Sequence, residues 1–337
     1  MKRLMSLMLV LVLVGSMFGP VIAWGGPTHY SIVKKLADRS GLPRQVYLYK
    51  IDSINGAVVP DIFVGKDGVT VPQGWSKLAQ LFHYDERFNR FVWQRASTDQ
   101  EIAYTAGWLT HHVSDYYIHG WKPSWVTPAY PHGKSYLEYK GVEPSNLPQH
   151  LFVEYNIDCI TYYEKNGAAP WPWEFKVYSS FIKSVVQEYK KRYGGDFPIP
   201  TEDQINREFT ELMAEIVAEQ MSFSWDKYLA AKATFGDYEK WWQASIDASY
   251  NYLTNLRMAK SSMEKMEKIA KIDRQIVEIK KEVGRELIKD GVLVPHGKFD
   301  KKTGVYTVWF EVKISGDELS KLYANALAEK VGGKMEK

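Results

Sequence analysis

Apolar residues recur every three or four positions through most of this chain, and this helical period constrains the fold more than any other feature. The period predicts helices over residues 27–40, 43–57, 77–90, 99–120, 147–165, 174–192 and 201–234. Residues 237–289 continue the pattern, either as one long helix or as two helices joined by a break. The sequence therefore predicts a mostly α-helical fold.

The end of the chain has a different period. Residues 292–299 and 305–314 alternate between apolar and polar side chains, and the turn sequence Asp300–Gly304 lies between them, which predicts a β-hairpin followed by a last helix. We therefore predict a multi-helix domain over residues 24–255. Residues 256–337 would form a small C-terminal appendage of one long helix, the β-hairpin and the terminal helix.

The long helix of this appendage has an apolar stripe with coiled-coil-like spacing. Its members are Ile269, Ile272, Ile276, Ile279, Val283 and Leu287. We expect the stripe to pack against the body of the protein, as the apolar face of an amphipathic helix usually does. Binding of a partner helix is the alternative.

The first 23 residues have the pattern of a secretory signal peptide. Lys2 and Arg3 precede the apolar run Leu4–Val14, and Val21–Ala23 places small residues at the positions that a signal peptidase reads. Cleavage there makes Trp24 the new N-terminus and the protein secreted. An uncleaved membrane anchor is the alternative, but glycine, serine and proline interrupt the apolar run before it reaches spanning length.

Charge and cysteine content narrow the function further. The chain has 43 lysines and arginines and 40 acidic residues, and removal of Lys2 and Arg3 leaves 41 basic residues. Such a balance lacks the broad basic surface of a nucleic-acid-binding protein. Cys159 is the single cysteine, so an exported chain has to be stabilised by its core or by metal rather than by an internal disulfide. Its apolar helical setting predicts a buried residue rather than a nucleophile.

Seven of the eight histidines lie between His29 and His150, and the helix over residues 99–120 suggests why. His111, Asp115 and His119 share one helical face but span about 12 Å along the axis, too far for both histidines to bind one ion. This spacing predicts two metals with Asp115 between them. His112 lies on a common face with Asp115 and His119 as well, so it competes with His111, and a polar face in contact with solvent is the simpler alternative.

Four other segments add metal-ligand residue types. His150 and Glu154 are four positions apart on a helix and could bind a single ion. Asp61 and His83 are polar residues inside apolar sequence, where each is a ligand or a hydrogen-bonded core residue. The predicted N-terminus, WGGPTH, places the α-amine of Trp24 five residues from His29, and an α-amine with a pKa near 8 can lose its proton to a metal.

These segments resemble the zinc-dependent phospholipase C family, which is related to the zinc-dependent single-strand nucleases. The most specific motifs are WGGPTH after the predicted signal peptide, HHVSDYYIH and HLFVE. The resemblance runs from Trp24 to about Glu154, follows the later helices in a general way, and excludes the appendage. It implies a mostly helical fold, three zinc ions and a mature N-terminal tryptophan that is itself a ligand.

The family pattern also implies a ligand set, residue by residue. One zinc would be bound by Asp61, His83, His111 and Asp115, a second by Trp24, His29 and the bridging Asp115, and a third by His119, His150 and Glu154. This assignment favours His111 over His112. The interval from Asp115 to His119 is shorter, and that from Asp61 to His83 longer, than in the best-known secreted phospholipases C. These departures bear on the zinc spacing and the substrate more than on metal binding.

Paired zinc ions suit the hydrolysis of phosphoesters, because they lower the pKa of a bridging water and bind a phosphoryl oxygen. We expect a hydroxide near Asp115 to attack phosphorus and Asp61 to orient or deprotonate that water. The third zinc would neutralise the departing alkoxide. The sequence thus predicts a secreted zinc-dependent phosphodiester hydrolase with Asp61 and Asp115 as catalytic residues.

The aromatic residues of two proline-rich loops bear on the substrate. They are Trp121, Trp125, Tyr130, Trp171 and Trp173. Such side chains contact a lipid surface or a choline-like headgroup, stack on nucleobases, or simply rigidify a loop. The near-neutral charge favours a phospholipase C that makes diacylglycerol and a phosphorylated headgroup. A zinc-dependent single-strand nuclease or nucleotidase and a non-catalytic secreted zinc-binding protein are the alternatives.

Overall fold

The computed structural model describes residues 25–63, 74–120, 129–143, 146–169, 174–255 and 278–335. The first helices are α1 (Gly26–Ala37), α2 (Arg44–Leu48), α3 (Lys50–Gly56), α4 (Trp75–Tyr84), α5 (Glu86–Arg95) and α6 (Asp99–His119), with a 3-10 helix at Val59–Phe63. Next come a 3-10 turn at Pro131–Gly133, α7 (Tyr136–Tyr139), α8 (Leu147–Glu164), strand β1 (Phe175–Val177), α9 (Ser179–Tyr193) and α10 (Glu202–Ser222).

The remaining elements are α11 (Trp225–Phe235), a 3-10 turn at Gly236–Tyr238, α12 (Glu239–Asn255), α13 (residues 278–289 in its described part), strands β2 (Leu293–Asp300) and β3 (Val305–Val312), and α14 (Gly316–Met335). The mostly α-helical fold with a terminal hairpin and helix is as the sequence predicts. Among the described helices, none has the length and apolarity needed to cross a bilayer.

Helix α6 is the central element of the fold. Thr98 and Glu101 form a capping box at its start, and Gly120, with a φ of 84°, ends it. Gly107 on α6 and Gly56 on α3 let the two helices touch backbone to backbone. A Cβ on Gly107 would lie 1.8 Å from the Ser53 carbonyl oxygen. This close approach brings the chain segment after α3 against the middle of α6.

Three helices that the periodicity predicts as continuous are divided, two of them by local capping. The helix expected over residues 77–90 ends at Tyr84, because the Asp85 side chain accepts a hydrogen bond from the Phe88 amide and starts α5. The helix expected over residues 201–234 is likewise divided, with Ser224 capping α11. The segment 43–57 is interrupted at Tyr49.

One predicted helix begins too early. Residues 175–177 form strand β1 rather than the start of a helix, and they pair antiparallel with β3. The sheet order is β1-β3-β2, so the predicted hairpin receives a third strand from the helical part. Long-range pairing overrides local helical propensity here, since Phe175 and Val177 are both buried against the core.

The C-terminal part packs against the helical part. Ile279, Val283 and Leu287 of the predicted stripe are buried in a core cluster that also contains residues of α4 and α10. This confirms packing against the body for that half of the stripe, while Ile269, Ile272 and Ile276 lie outside the described residues. Gly284 permits the contact, since a Cβ there would lie 2.3 Å from the Glu211 carbonyl oxygen. The domain boundary at residue 255 stays a prediction.

Candidate metal centre

Eight of the sequence-predicted ligands meet in the interior of the helical part. They form three groups whose potential ligand atoms lie within 4.8 Å of one another. The groups are His29, His111 and Asp115; Asp61, His83 and His111; and His119, His150 and Glu154. His111 belongs to two groups, so five of these residues form one larger cluster, called here the five-residue cluster. The last three residues are called the α6–α8 cluster.

The five-residue cluster draws on four separate segments. His29 comes from α1, Asp61 from the 3-10 helix after α3, His83 from the end of α4, and His111 and Asp115 from α6. The close crossing of α3 and α6 explains the position of Asp61, because the 3-10 helix follows α3 directly. Sequence spacing alone does not produce this assembly.

The carboxylates of the five-residue cluster lie between its imidazoles. Asp115 Oδ1 is 3.4 Å from His29 Nε2, and its Oδ2 is 3.2 Å from His111 Nε2. Asp61 Oδ1 is 3.1 Å from His83 Nε2 and 3.8 Å from His111 Nε2. The rings of His29 and His111 stack with centroids 4.0 Å apart. Asp115 thus faces two histidines with its two oxygens, which is the arrangement that a bridging carboxylate requires.

Hydrogen bonds at the far side of each ring orient the imidazoles. His111 Nδ1 donates to the Ala57 carbonyl at 2.8 Å, and His83 Nδ1 donates to the Ala79 carbonyl at 2.8 Å. Ser114 Oγ donates to the His111 carbonyl and accepts from His29 Nδ1 at 3.0 Å. The protein thus holds the Nδ1 side of each ring and directs Nε2 to the centre, where a metal would take the place of any proton on Nε2, as in metal-ligating histidines.

His112 has a different environment from its neighbour. Its Nδ1 donates to the His83 carbonyl, and the Tyr116 hydroxyl lies 2.5 Å from its Nε2. Both ring nitrogens therefore have partners other than the potential ligand atoms of the three groups. Burial lowers the pKa of His112 to about 3, so the ring is neutral at physiological pH. These contacts agree with the choice of His111 as the ligand and place His112 behind His83.

The α6–α8 cluster is more local. Glu154 Oε1 lies 2.8 Å from His150 Nε2, one turn earlier on α8, and 3.7 Å from His119 Nδ1 at the end of α6. All three residues are buried. His111 and His119, two turns apart on α6, fall into different groups, in keeping with the 12 Å estimate of their axial separation.

The charges in the centre shift several pKa values. Burial lowers the pKa of His29 well below its usual value, and the nearby His111 adds to this effect. Burial opposes the charged form of His111 too, but the carboxylates of Asp115 and Asp61 outweigh it and raise its pKa to about 9. For Asp61, His111 and the His83 hydrogen bond outweigh burial and lower the pKa. Asp61 is thus surrounded by groups that favour its ionised form.

The donors fit zinc. His111 Nε2 is buried and has no hydrogen-bond partner, although it faces two carboxylates. An imidazole nitrogen left in this way is costly unless a cation binds it. Imidazole and carboxylate donors in groups of three are a set that zinc uses, and a four-coordinate ion would take a further ligand or water in addition.

The ninth predicted ligand, Trp24, lies outside the described residues, as do Trp121, Trp125, Trp171 and Trp173. Tyr130, the described member of the aromatic set, is buried and packs edge-on against Tyr117 with centroids 5.6 Å apart. That contact favours loop packing for Tyr130 over headgroup or nucleobase binding. Cys159 is buried, as predicted.

Beside the centre lies a second buried charged group that the sequence analysis missed. It consists of Asp158, Glu215, Glu219 and Lys280. Asp158 follows Glu154 by one turn of α8, so the run His150, Glu154, Asp158 on one face was the signal for it. Glu215 and Glu219 have the same spacing on α10. Lys280 comes from the far end of the chain, and no local pattern connects it with the others.

The chain matches one known protein family. The family model described as zinc-dependent phospholipase C matches residues 28–221, more than half of the sequence. The chain therefore belongs to the zinc-dependent phospholipase C family. No curated protein and no solved structure matches it. Every described ligand candidate lies inside the matched region, whereas α13, the hairpin and α14 lie beyond it.

Proposed function

We propose that this protein is a secreted zinc-dependent phosphodiester hydrolase that cleaves a glycerophospholipid to diacylglycerol and a phosphorylated headgroup. One observation carries the proposal. Asp115 faces His29 and His111 with its two oxygens, while the next turn of the same helix presents His119 to a separate cluster. Such an arrangement can hold two ions about one carboxylate and a third ion nearby.

Three zinc ions would be held by the nine residues predicted from the sequence. These are Trp24, His29, Asp61, His83, His111, Asp115, His119, His150 and Glu154. When bound, zinc lowers the pKa of water toward neutrality and offsets negative charge on the phosphoryl and leaving-group oxygens. The protein side chains then have to orient the reactants and handle the proton.

Asp115 and Asp61 have different parts in this scheme. Asp115 is almost fully buried between two imidazoles, and its role is to fix the positions of the groups on either side of it. The Asp61 side chain is 15% exposed and is the most accessible carboxylate of the five-residue cluster. Because its pKa is lowered, Asp61 is ionised at neutral pH and can orient the attacking water and accept its proton.

Phospholipid is the substrate class that the family implies, and the balanced charge of the processed chain supports it. A nuclease needs cations along the path of the strand, and its binding weakens steeply with salt. A phospholipase C instead has to approach a lipid surface. Contact with the membrane surface by the secreted protein is part of the proposal.

The test compares substrates side by side. Mature protein loaded with zinc is assayed on phosphatidylcholine vesicles and on single-stranded DNA, with chelated protein and Asp61→Asn as controls. We expect diacylglycerol release that depends on zinc and falls strongly in Asp61→Asn. Faster release of mononucleotides than of diacylglycerol would favour the nuclease alternative. Zinc binding without release from any phosphodiester, including a soluble phosphocholine ester, would favour the non-catalytic one.

A further inference from the structure

Two adjacent lysines of α13, Lys280 and Lys281, are buried in the core. Their exposed fractions are 3% and 0%. A buried ammonium is retained only where it is paired and hydrogen-bonded, because its desolvation is costly. Neighbouring positions on a helix point about 100° apart, so the two side chains reach different surroundings. The contacts of each ammonium therefore identify the segments that α13 helps to position.

Lys280 lies beside the start of α1. Its Nζ is 3.7 Å from Glu215 Oε1 and 3.8 Å from Glu219 Oε2. A Cβ on Gly25 would lie 3.0 Å from the same Nζ and 2.3 Å from Asp158 Oδ2. The backbone at Gly25 is therefore in close contact with this charged group, and no other residue type fits there without a shift.

Asp158 forms hydrogen bonds with the same segment at the start of α1. Its Oδ2 accepts the Gly25 amide at 2.5 Å, and its Oδ1 accepts the Thr28 amide at 3.1 Å and the Thr28 hydroxyl at 2.5 Å. Thr28 is followed directly by His29 of the five-residue cluster. Lys280 is the cation that lets Asp158 and Glu219 face each other in a buried space. Its removal would leave the two carboxyl groups without their cation beside Gly25.

Lys281 contacts a different segment of the five-residue cluster, the one that carries Asp61. Its ammonium donates to the Ile62 carbonyl at 2.8 Å and forms a buried ion pair with Glu208 of α10. Ile62 is the residue after Asp61, within the same 3-10 helix. The one hydrogen bond thus ties α13 to the short segment that carries the proposed proton acceptor.

We infer that α13 is a clamp for the metal centre, in which Lys280 and Lys281 are positioning residues for the two segments that carry His29 and Asp61. The inference rests on the proposed zinc binding at those residues. It gives a role to the C-terminal part of the chain, which lies beyond the matched family region. Neither lysine touches the substrate; each acts through a neighbouring backbone segment.

Docking of α13 alone does not require these contacts. Arg285, one turn further along α13, pairs with Glu211 of α10 at 2.7 Å, and Gly284 packs directly against the Glu211 carbonyl. Arg285 therefore joins the same two helices without contact to the segments that hold His29 or Asp61. It provides a matched control, because its loss should loosen the helix pair and spare the ligands.

The test measures zinc affinity rather than turnover. Full-length mature protein and the variants Lys280→Met, Lys281→Met and Arg285→Met are titrated with a chromogenic chelator, and the zinc retained per chain is followed. Outer-shell substitutions lower metal affinity about 10–100-fold, so we expect a loss of that size for each lysine variant and much less for Arg285→Met. Lys280→Arg, which keeps the charge, should recover much of the affinity. Equal affinity in all four variants would overturn the inference.

A second measurement keeps the inference testable if the lysine variants do not fold. The double variant Lys281→Met/Glu208→Gln removes both charges of one pair but still leaves the Ile62 carbonyl without its donor.

In wild-type protein, the clamp implies by linkage that zinc and α13 stabilise each other. Removal of zinc should therefore speed amide hydrogen exchange in residues 278–289 more than in strands β2 and β3. If the rate of amide hydrogen exchange in α13 is the same with and without zinc, the clamp is wrong.

The two proposals fail in different ways. If wild-type protein binds no zinc, the proposed function and the clamp both fall. If wild-type protein binds zinc and hydrolyses phospholipid, while the lysine variants retain zinc as Arg285→Met does, the clamp alone is wrong.

Discussion

The two clusters of candidate metal ligands in this protein are built in different ways. The α6–α8 cluster uses two helices, and two of its three residues, His150 and Glu154, are one turn apart. The five-residue cluster uses four segments separated by up to 86 positions, from His29 to Asp115. The α6–α8 cluster therefore depends only on the placement of α6 relative to α8. The five-residue cluster depends on the packing of several segments around α6.

This difference has a physical consequence. A pair of ligands on one helix is positioned by helix geometry itself, so it survives small shifts of the surrounding structure. Ligands from four segments stay together only while each segment is held in place. The far-side hydrogen bonds to Ala57, Ala79 and Ser114 serve this purpose, and so do the buried lysines of α13. The five-residue cluster should accordingly be the more sensitive to mutation.

Loss of Asp115 should have the largest effect. Asp115→Ala removes the one carboxylate that faces two histidines, so we expect it to cost two zinc ions per chain and to lower activity by more than about a hundredfold, the upper end for outer-shell changes. His150→Ala should cost one ion and leave the five-residue cluster loaded. Metal analysis of both purified proteins checks this. Equal metal loss in the two variants would refute the shared role of Asp115.

A matched pair of neighbours gives the next effect. His111→Ala should lose zinc from the five-residue cluster, because His111 Nε2 faces both carboxylates. His112→Ala removes the hydrogen bond to the His83 carbonyl and the contacts with Tyr116 and Asn89 but no predicted ligand, so we expect zinc binding to weaken about tenfold. Chelator titration compares them. If the His112 variant loses as much zinc as the His111 variant, the choice between the two histidines is wrong.

The N-terminus offers a third test, confined to the His29 side of the five-residue cluster. One extra alanine before Trp24 converts the predicted amine ligand into an amide, which is a poor donor for zinc. We expect the extended protein to lose one ion while His119, His150 and Glu154 keep theirs. Mass spectrometry of exported protein should first find Trp24 as residue one. Full zinc content and activity in the extended protein would remove Trp24 from the ligand set.

The smallest effect separates one histidine of each cluster, His119 and His111, by the sign of its contribution to the pH dependence of stability in zinc-free protein. Burial, followed by the charge of His150, lowers the pKa of His119 below its unfolded value of about 6.5. Unfolding then takes up a proton, so the free energy of unfolding falls as pH drops below about 6.5, by at most about 1.4 kcal/mol per pH unit for this group. His119→Gln should flatten that slope.

For His111 the sign is opposite. Its pKa is raised to about 9, because Asp115 and Asp61 outweigh the effect of burial. Its stabilising contribution is complete below the unfolded pKa of about 6.5 and disappears as pH rises through about 9. His111→Gln should therefore flatten the alkaline side of the stability profile and leave the acid side to His119 and His29. Urea unfolding across this range measures both slopes, and the same slope change in both variants would contradict the assignment.

The sequence predicts these parts unequally. Helix α6, the hairpin and the pair His150–Glu154 follow from period and spacing, because their geometry is set within one element. The position of Asp61 and His83 beside α6 depends on the contact of helices α3 and α6 at Gly56 and Gly107, which no local pattern specifies. The resemblance to the family, rather than the spacing, predicted that these residues share a site. Strand β1 was missed because its pairing partner lies more than 120 positions away. Lys280 and Lys281 were missed for the same reason.

Zinc-edge anomalous diffraction from crystals of the mature protein would locate the ions themselves. We expect three peaks: one between Asp61, His83 and His111, one between His29 and Asp115, and one among His119, His150 and Glu154. Asp115 should contact the first two ions. A single peak, or peaks that lie away from these side chains, would contradict this expectation.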